Sequence, residues 1–292
     1  MIDLEYLQQW QGRTESDQQL IDSRTVAQMA GALGLGQAPE LGDALPLPWH
    51  WLFFTPVPHA LATGEDGHPS KGGFLPPVPL PRRMWAGSRV NCHRPVRVGD
   101  SVTRTSRIEK ITAKSGRSGR LVFVTVEHHI YSALNELLIS ESQDLVYREP
   151  VLVIATASNV STPYQSQVNP QWSEMVTPDP VMLFRYSALT FNGHRIHYDR
   201  DYAVNKEGYP GLVVHGPLTA SLLLNMLYTQ LGSVEIKSFF FRGLSPLFDS
   251  HPVHLKGARD QHRVKLWALT SDQQLAMTVE CELAKQEVEG EI

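Results

Sequence analysis

The spacing of apolar positions changes several times along this chain. At the amino end Leu4, Leu7 and Trp10 fall at helical spacing, and Val26, Met29, Ala30 and Leu33 do so again after the capping residues Asp22 and Ser23. With a glycine stop at 34–36, this predicts helix through residues 1–35. Between Pro39 and Pro81 the periodicity disappears, because ten of the chain's 20 prolines fall there. Proline lacks the amide hydrogen that a helix interior or central strand needs, so the stretch is expected to be a long loop. It carries the aromatic cluster Trp49, His50, Trp51, Phe53 and Phe54. A loop of this length most often serves function, and the cluster either covers a ligand or closes the end of a core.

A period of two then takes over. Strands are expected at 88–94, 101–112, 120–131 and 137–148, rich in β-branched and aromatic residues and separated by turn chemistry at 98–100 and 114–119. Residues 150–180 open with a short apolar run, 151–155, and become polar and proline-punctuated. A linker is placed there, dividing the chain near 160 into units 1–160 and 161–292.

The second unit is organised by residues 186–232. Pro217 just inside a helix start, Gly216 ahead of it and Gly232 at its exit bound a helix whose leucines cover more than one face, as in a helix enclosed by other structure. Four strands are expected after it, at 235–242, 252–256, 262–270 and 274–284. Helix followed by meander thus occurs twice. SRVNCHRPVRVGDSVTRTSRI in the first half can be laid on KSFFFRGLSPLFDSHPVHLKG in the second. Both favour two copies of one α+β unit in which an antiparallel sheet wraps a helix, the first-half helix being short or displaced.

Composition narrows the class. The hydrophobic fraction is 42%, the charged fraction 19% and the net charge −4, with no basic block that would suit nucleic acid. The most apolar stretch, 212–231, is interrupted by His215, Pro217, Asn225 and Gln230, so no membrane span is expected. The first residues lack the positive-then-apolar layout of a secretory leader, and Cys92 and Cys281 are the only cysteines. A cytoplasmic protein with reduced thiols is expected.

Chemistry-bearing residues crowd just ahead of the enclosed helix: Asn192, His194, Arg195, His197 and Asp199. FNGHRIHYD, followed by the helix start in LVVHGPLTASLL, resembles the hydratase motif of the MaoC-like enoyl-thioester hydratases and dehydratases. PRRMWAGSRVNCHRPVRVGD, LPWHWLFF and FFFRGLSPLF are similar to the branch that includes mesaconyl-CoA and itaconyl-CoA hydratases and hydroxyacyl-thioester dehydratases type 2. The resemblance implies a double hot-dog fold, an acyl-CoA substrate, no cofactor, a homodimer, and reversible addition of water across the double bond of an α,β-unsaturated acyl thioester. A short C5 dicarboxylic acyl group, itaconyl or mesaconyl giving citramalyl, is the expected substrate. Dehydration of a 3-hydroxyacyl group on carrier protein or CoA is the alternative, followed by thioester hydrolysis and non-catalytic acyl-thioester binding.

Members of that family commonly place an aspartate five residues before the histidine. Position 192 here is asparagine, which orients water but carries no proton at neutral pH. For hydration, His197 is the expected acid/base, Asn192 the group holding water opposite it, and the Gly216 amide at the helix start the oxyanion donor. Read without the resemblance, Asn192-Gly193 is a plain turn. Asp199 either carries a proton or caps, and His215 either lines the pocket or bonds a backbone group. Arg242, inside an apolar strand, is expected to contact ligand, with His194, Arg195, His215 and Trp51 also placed at the substrate; Arg82, Arg83, Arg94 and Arg185 are further cations. His194 and His197 are three apart, but no acid or cysteine at ligand spacing accompanies them, so no metal is expected.

Overall fold

The computed structural model describes residues 2–59, 62–116, 119–149, 164–166 and 168–285. Its elements run α1 (Leu4–Gln8), β1 (Thr14–Leu20), α2 (Ser23–Leu33), β2 (Arg82–Cys92), β3 (Ser101–Gly116), β4 (Gly119–Ser132), β5 (Leu137–Arg148), β6 (Trp172–Val176), α3 (Pro180–Leu189), α4 (Gly216–Leu231), β7 (Ile236–Gly243), β8 (Val253–Asp260), β9 (Arg263–Leu269) and β10 (Leu275–Leu283). The ten strands form one antiparallel sheet ordered β1-β3-β4-β5-β2-β7-β10-β9-β8-β6. Read outward from its middle, the order repeats: β2, β5, β4, β3, β1 on one side match β7, β10, β9, β8, β6 on the other. The aligned segments at 88–108 and 237–257 fall on β2–β3 and β7–β8, so the weak repeat marks equivalent places in the two halves.

The halves join where β2 pairs antiparallel with β7, from Gly87 opposite Arg242 to Asn91 opposite Ser238. A Cβ at Gly87 would lie 2.5 Å from the Phe241 carbonyl oxygen, so this seam requires glycine. α4 packs on β8, β9 and β10 and buries its leucines almost all round, as its pattern predicts. Among the described residues the first half has no such helix: in the equivalent place, before β2, stands the 3-10 turn Trp49–Leu52, while α2 packs against α3.

Two expectations are corrected. Residues 1–35 are not all helical: β1 lies between α1 and α2, an exposed TESDQQL strand whose order comes from backbone pairing with β3 rather than from any apolar alternation. Similarly, the polar tract assigned to a linker contains β6, an edge strand on β8, and leads into α3, capped by Asp179. The run 151–155 and the boundary near 160 lie outside the described residues. Both cysteines are free thiols, Cys281 buried in β10.

The 3-10 turn is pinned by one buried carboxylate. Glu141 of β5 accepts from His50 Nε2 at 3.1 Å, from Trp51 Nε1 at 3.0 Å and from the Ser88 hydroxyl. Burial works to raise its pKa, but the His50 hydrogen bond and neighbouring imidazoles overcome this and hold it below the usual value. Glutamine keeps one acceptor oxygen but turns the other into a donor NH2 facing a group that donates to the acid, so Glu141→Gln should lose about 1–3 kcal/mol of unfolding free energy at pH 7. Because the folded pKa is depressed, that contribution is complete above the unfolded carboxylate range and fades as pH falls below it. Urea titrations at pH 7 and in acid should therefore show the gap between variant and parent narrowing in acid.

Candidate active site

α3 ends at Leu189, and the chain turns at Phe191 with φ of 47°. Asn192 then closes a local turn: its amide donates to the Ser187 carbonyl at 2.8 Å, and its Oδ1 accepts from the His194 amide at 3.0 Å. A short 3-10 turn, Arg195–His197, follows and brings His197 inward. Two bonds to one residue hold it there. The Val213 amide donates to the Ile196 carbonyl at 2.9 Å, and the Val213 carbonyl accepts from His197 Nδ1 at 2.7 Å. Since a carbonyl only accepts, Nδ1 carries the proton and Nε2 keeps its lone pair.

Val213 is itself fixed from the far side. It forms an isolated bridge with Phe248, and buried Asp249 accepts from the Leu212 amide at 2.9 Å while pairing with Arg200. Three residues after Val213, α4 begins. Its N-cap, His215, stacks on His197 with ring centroids 3.7 Å apart and planes at 20°, and its Nε2 meets the Ser187 hydroxyl at 2.8 Å. Gly216 is the first helical residue, and with Pro217 next the first turn presents few amides, Gly216's among them, without an intrahelical acceptor. The fold thus brings His197, His215 and the Gly216 amide together.

Burial keeps these imidazoles neutral. It lowers the His197 pKa to about 4 against the opposing pull of the Val213 carbonyl. It lowers His215 and His194 as well, with neighbouring imidazoles adding to the effect. His194 stands edge-on to His197 at 5.3 Å and lies against His68 at 4.0 Å.

His68 arrives from the proline-rich loop, which its length marked as functional without singling out this residue. Asp66 accepts from the His68 amide and ring, both at 3.0 Å. Burial works to raise the Asp66 pKa, but these bonds and the charge on His68 hold it well below the usual carboxylate range. The loop is docked backbone to backbone: the Arg195 amide donates to the Asp66 carbonyl at 2.9 Å, and Arg195 Nη1 to the Glu65 carbonyl at 3.2 Å. Gly67, with φ of +86°, sits so close to the motif that a Cβ there would lie 1.9 Å from the Gly193 oxygen. The glycine of Asn192-Gly193 therefore serves loop docking as well as turning.

The other expected residues divide. Arg195 pairs with Asp199 Oδ2 at 2.8 Å and lies 4.2 Å over the Tyr202 ring, while Asp199 caps the Tyr202 amide at 3.0 Å. Both are tied into holding the motif. Trp51 donates to Glu141 and packs on Trp85, whose carbonyl faces Gly216, so it is one layer removed from the helix start. Arg242 is exposed: β7 turns Phe239 and Phe241 inward and Arg242 outward. Strand alternation accounts for an arginine among phenylalanines without any ligand. No acid accompanied His194 at ligand spacing in sequence, yet the fold gathers Asp66, His68 and His194 with candidate ligand atoms within 4.8 Å. Arg83 and Lys71 both work to lower the His68 pKa, and such adjacent positive charge opposes a divalent cation there.

Residues 48–249 match the family described as hydroxyacyl-thioester dehydratase type 2. The chain belongs to this family. Within the hydroxyacyl-thioester dehydratase type 2 group and its relatives, it is 45% identical over 279 residues to the mesaconyl-C(4)-CoA hydratase of Chloroflexus aurantiacus, covering 94% of this chain and 96% of that protein. Its architecture aligns with a MaoC-like dehydratase at a TM-score of 0.70, 15% identity, and 96% and 99% coverage of the two chains. A Mycobacterium tuberculosis protein with a double hot-dog fold aligns at 0.55, with 10% identity and 94% and 96% coverage. The fold is the double hot-dog.

Two outcomes test the assembly of this dehydratase-family site. Gly67→Ala should undock the loop and lower kcat/KM about 100-fold, as an ångström-scale misplacement does, with the melting temperature little changed. The rate itself should stay flat well below the ordinary histidine range, because the His197 pKa is lowered to about 4. A kcat/KM profile should show its acid limb near that value, and a limb near 6.5 would contradict it.

Proposed function

We propose that this chain is a hydro-lyase that adds water to an α,β-unsaturated acyl-CoA carrying a short dicarboxylic acyl group, of the mesaconyl or itaconyl kind. The observation that carries this reading is the neutral, buried His197 with its free Nε2 set against the amide start of α4. Nε2 takes a proton from water as the hydroxide oxygen bonds to the β-carbon. The π electrons move toward the thioester oxygen, where the Gly216 amide and the helix start stabilise the developing charge. The imidazolium then returns its proton to the α-carbon, so one ring serves as base and acid. Asn192, whose Oδ1 is committed to the turn, has its amide nitrogen left to orient the water. Identity to the mesaconyl-C(4)-CoA hydratase over nearly the full length supports the dicarboxylic substrate.

In this reading the unit 1–160 covers the substrate with the loop that bears His68, and the unit 161–292 carries the hydratase motif. The family description favours a second direction for the same chemistry, dehydration of a 3-hydroxyacyl thioester. The reading further makes the enzyme a cytoplasmic homodimer, which the free Cys92 and Cys281 suit as regards compartment. Among the described residues no helix is long and apolar enough to cross a membrane.

The test is to mix purified protein with mesaconyl-C4-CoA, itaconyl-CoA and crotonyl-CoA and follow loss of the conjugated double bond, with a thiol reagent present in parallel. Hydration without thiol release is expected, and His197→Ala should lower kcat about 100-fold or more while circular dichroism is unchanged. Thiol release, or full activity in the variant, would remove the mechanism.

A further inference from the structure

One cation on the inner face of the sheet has no acid partner among the described residues. In β2, Met84 is exposed, and Trp85 packs inward on Trp51 and Phe241. Arg83, half-buried, pairs across the sheet with Tyr147 of β5, which is 0% exposed. The two arginines of this doublet differ in what they meet. Arg82 binds Glu207 through both its carboxylate and its carbonyl, at 2.7 and 2.8 Å. Arg83 has no acid partner among the described residues; the acceptor beside it is the buried Tyr147 hydroxyl, whose own O–H is left without an acceptor. A fully buried hydroxyl without an acceptor costs about 1–3 kcal/mol, so its retention calls for a ligand.

The surroundings say which kind. Arg83 is close enough to His68 and His194 to push both toward the neutral form, and His194 is the ring edge-on to His197. The carboxylate of this cluster, Asp66, is taken up by the His68 amide and ring. The second cation, Lys71, is spent on the carbonyls of Val78 and Leu80. What remains is a planar guanidinium and a phenol O–H, both donors, next to the proposed base. A carboxylate accepts from both. The phosphates of CoA are anions as well, but they are separated from the thioester by the whole pantetheine arm, whereas Arg83 is close enough to act on His194, the ring edge-on to His197.

We propose that Arg83 and the Tyr147 hydroxyl bind the free carboxylate of the acyl group and so select dicarboxylic acyl-CoAs. This rests on the reading as an acyl-CoA hydratase, and it replaces Arg242 with an inward-facing arginine in the role of carboxylate anchor. It also orients the substrate: with one end held at Arg83 and the thioester oxygen at the α4 start, the double bond lies across His197.

Binding separates this inference from the catalytic one. Succinyl-CoA is a saturated four-carbon acyl-CoA with the charged end, and butyryl-CoA is its uncharged counterpart. Titration calorimetry with the intact protein should show succinyl-CoA bound about 10-fold or more tightly than butyryl-CoA, the margin expected of a hydrogen-bonded charge pair. Arg83→Gln should erase that ratio, and Tyr147→Phe, which removes one oxygen atom, should reduce it severalfold. Equal loss for succinyl-CoA, butyryl-CoA and free CoA would assign Arg83 to the phosphates and overturn the proposal. So would a parent protein that does not prefer the charged analogue, or an Arg83→Gln variant that folds and keeps the preference. A charge preference that depends on Arg83, in a protein that hydrates none of the enoyl-CoAs, would sink the hydratase reading and leave the anchor standing.

Discussion

The site depends on Val213. Three residues before the first residue of α4, its backbone accepts from the His197 ring and donates to the Ile196 carbonyl, so imidazole and α4 amide are fixed relative to one another through main-chain atoms. The same bond chooses the tautomer. A proton held on Nδ1 by a carbonyl leaves Nε2 as a lone pair facing the cluster, and burial keeps that lone pair free at neutral pH. The buried Asp249, which takes the Leu212 amide, and the Arg200 paired with it lock the other side of this joint. Rigidity here comes from chain segments crossing at bonded backbone groups, which side-chain motion does not loosen.

The two halves have diverged around a shared sheet plan. In the second, an apolar helix fills the concave side of the sheet. In the first, the equivalent place holds one 3-10 turn, pinned by Glu141, because prolines exclude anything longer. What is lost in core is turned to reach: the chain left over from the missing helix extends as the 39–81 loop, crosses to the other half and docks on its motif. A repeated sheet plan is thus asymmetric: the first half sends the loop bearing Asp66 and His68 across to the motif of the second.

Much of this was legible in the sequence where structure is local or periodic. The bounds of α4 follow from Gly216, Pro217 and Gly232, and the meanders from alternation in segments such as LVFVTVEHHIY. The clustering of Asn192, His194 and His197 ahead of a helix start was legible too. Edge strands β1 and β6 were not, since one is polar and both are largely exposed, and their order is lent by neighbours through backbone bonds. The loop partners were invisible for a different reason. Nothing local to Asp66-Gly67-His68 says which distant glycine it will meet, and that contact is specified by two residues that lack side chains. Arg242 shows the opposite error: composition drew attention to it, but in a strand the phase of a residue decides its environment, and one step of alternation separates it from the core.

Asn192 can be understood once charge is counted. An aspartate at that position would stand within the motif beside His194 and His197, and a carboxylate there would draw protons onto rings that the mechanism needs neutral. Here the carboxylate of the described cluster, Asp66, gives both of its side-chain hydrogen bonds to His68 and is not among the groups acting on His197. His197 is then left to feel desolvation rather than a counter-ion, and its pKa falls instead of rising. A base of this kind is weaker than ordinary histidine, but it remains unprotonated over a wide pH range, and its conjugate acid is strong enough to protonate a carbon. Returning a proton to the α-carbon of an enolate is the step that such an acid suits. In the proposed mechanism an amide in place of the acid shifts the burden from a carboxylate–imidazole pair to one desolvated ring, which the Val213 carbonyl holds in place.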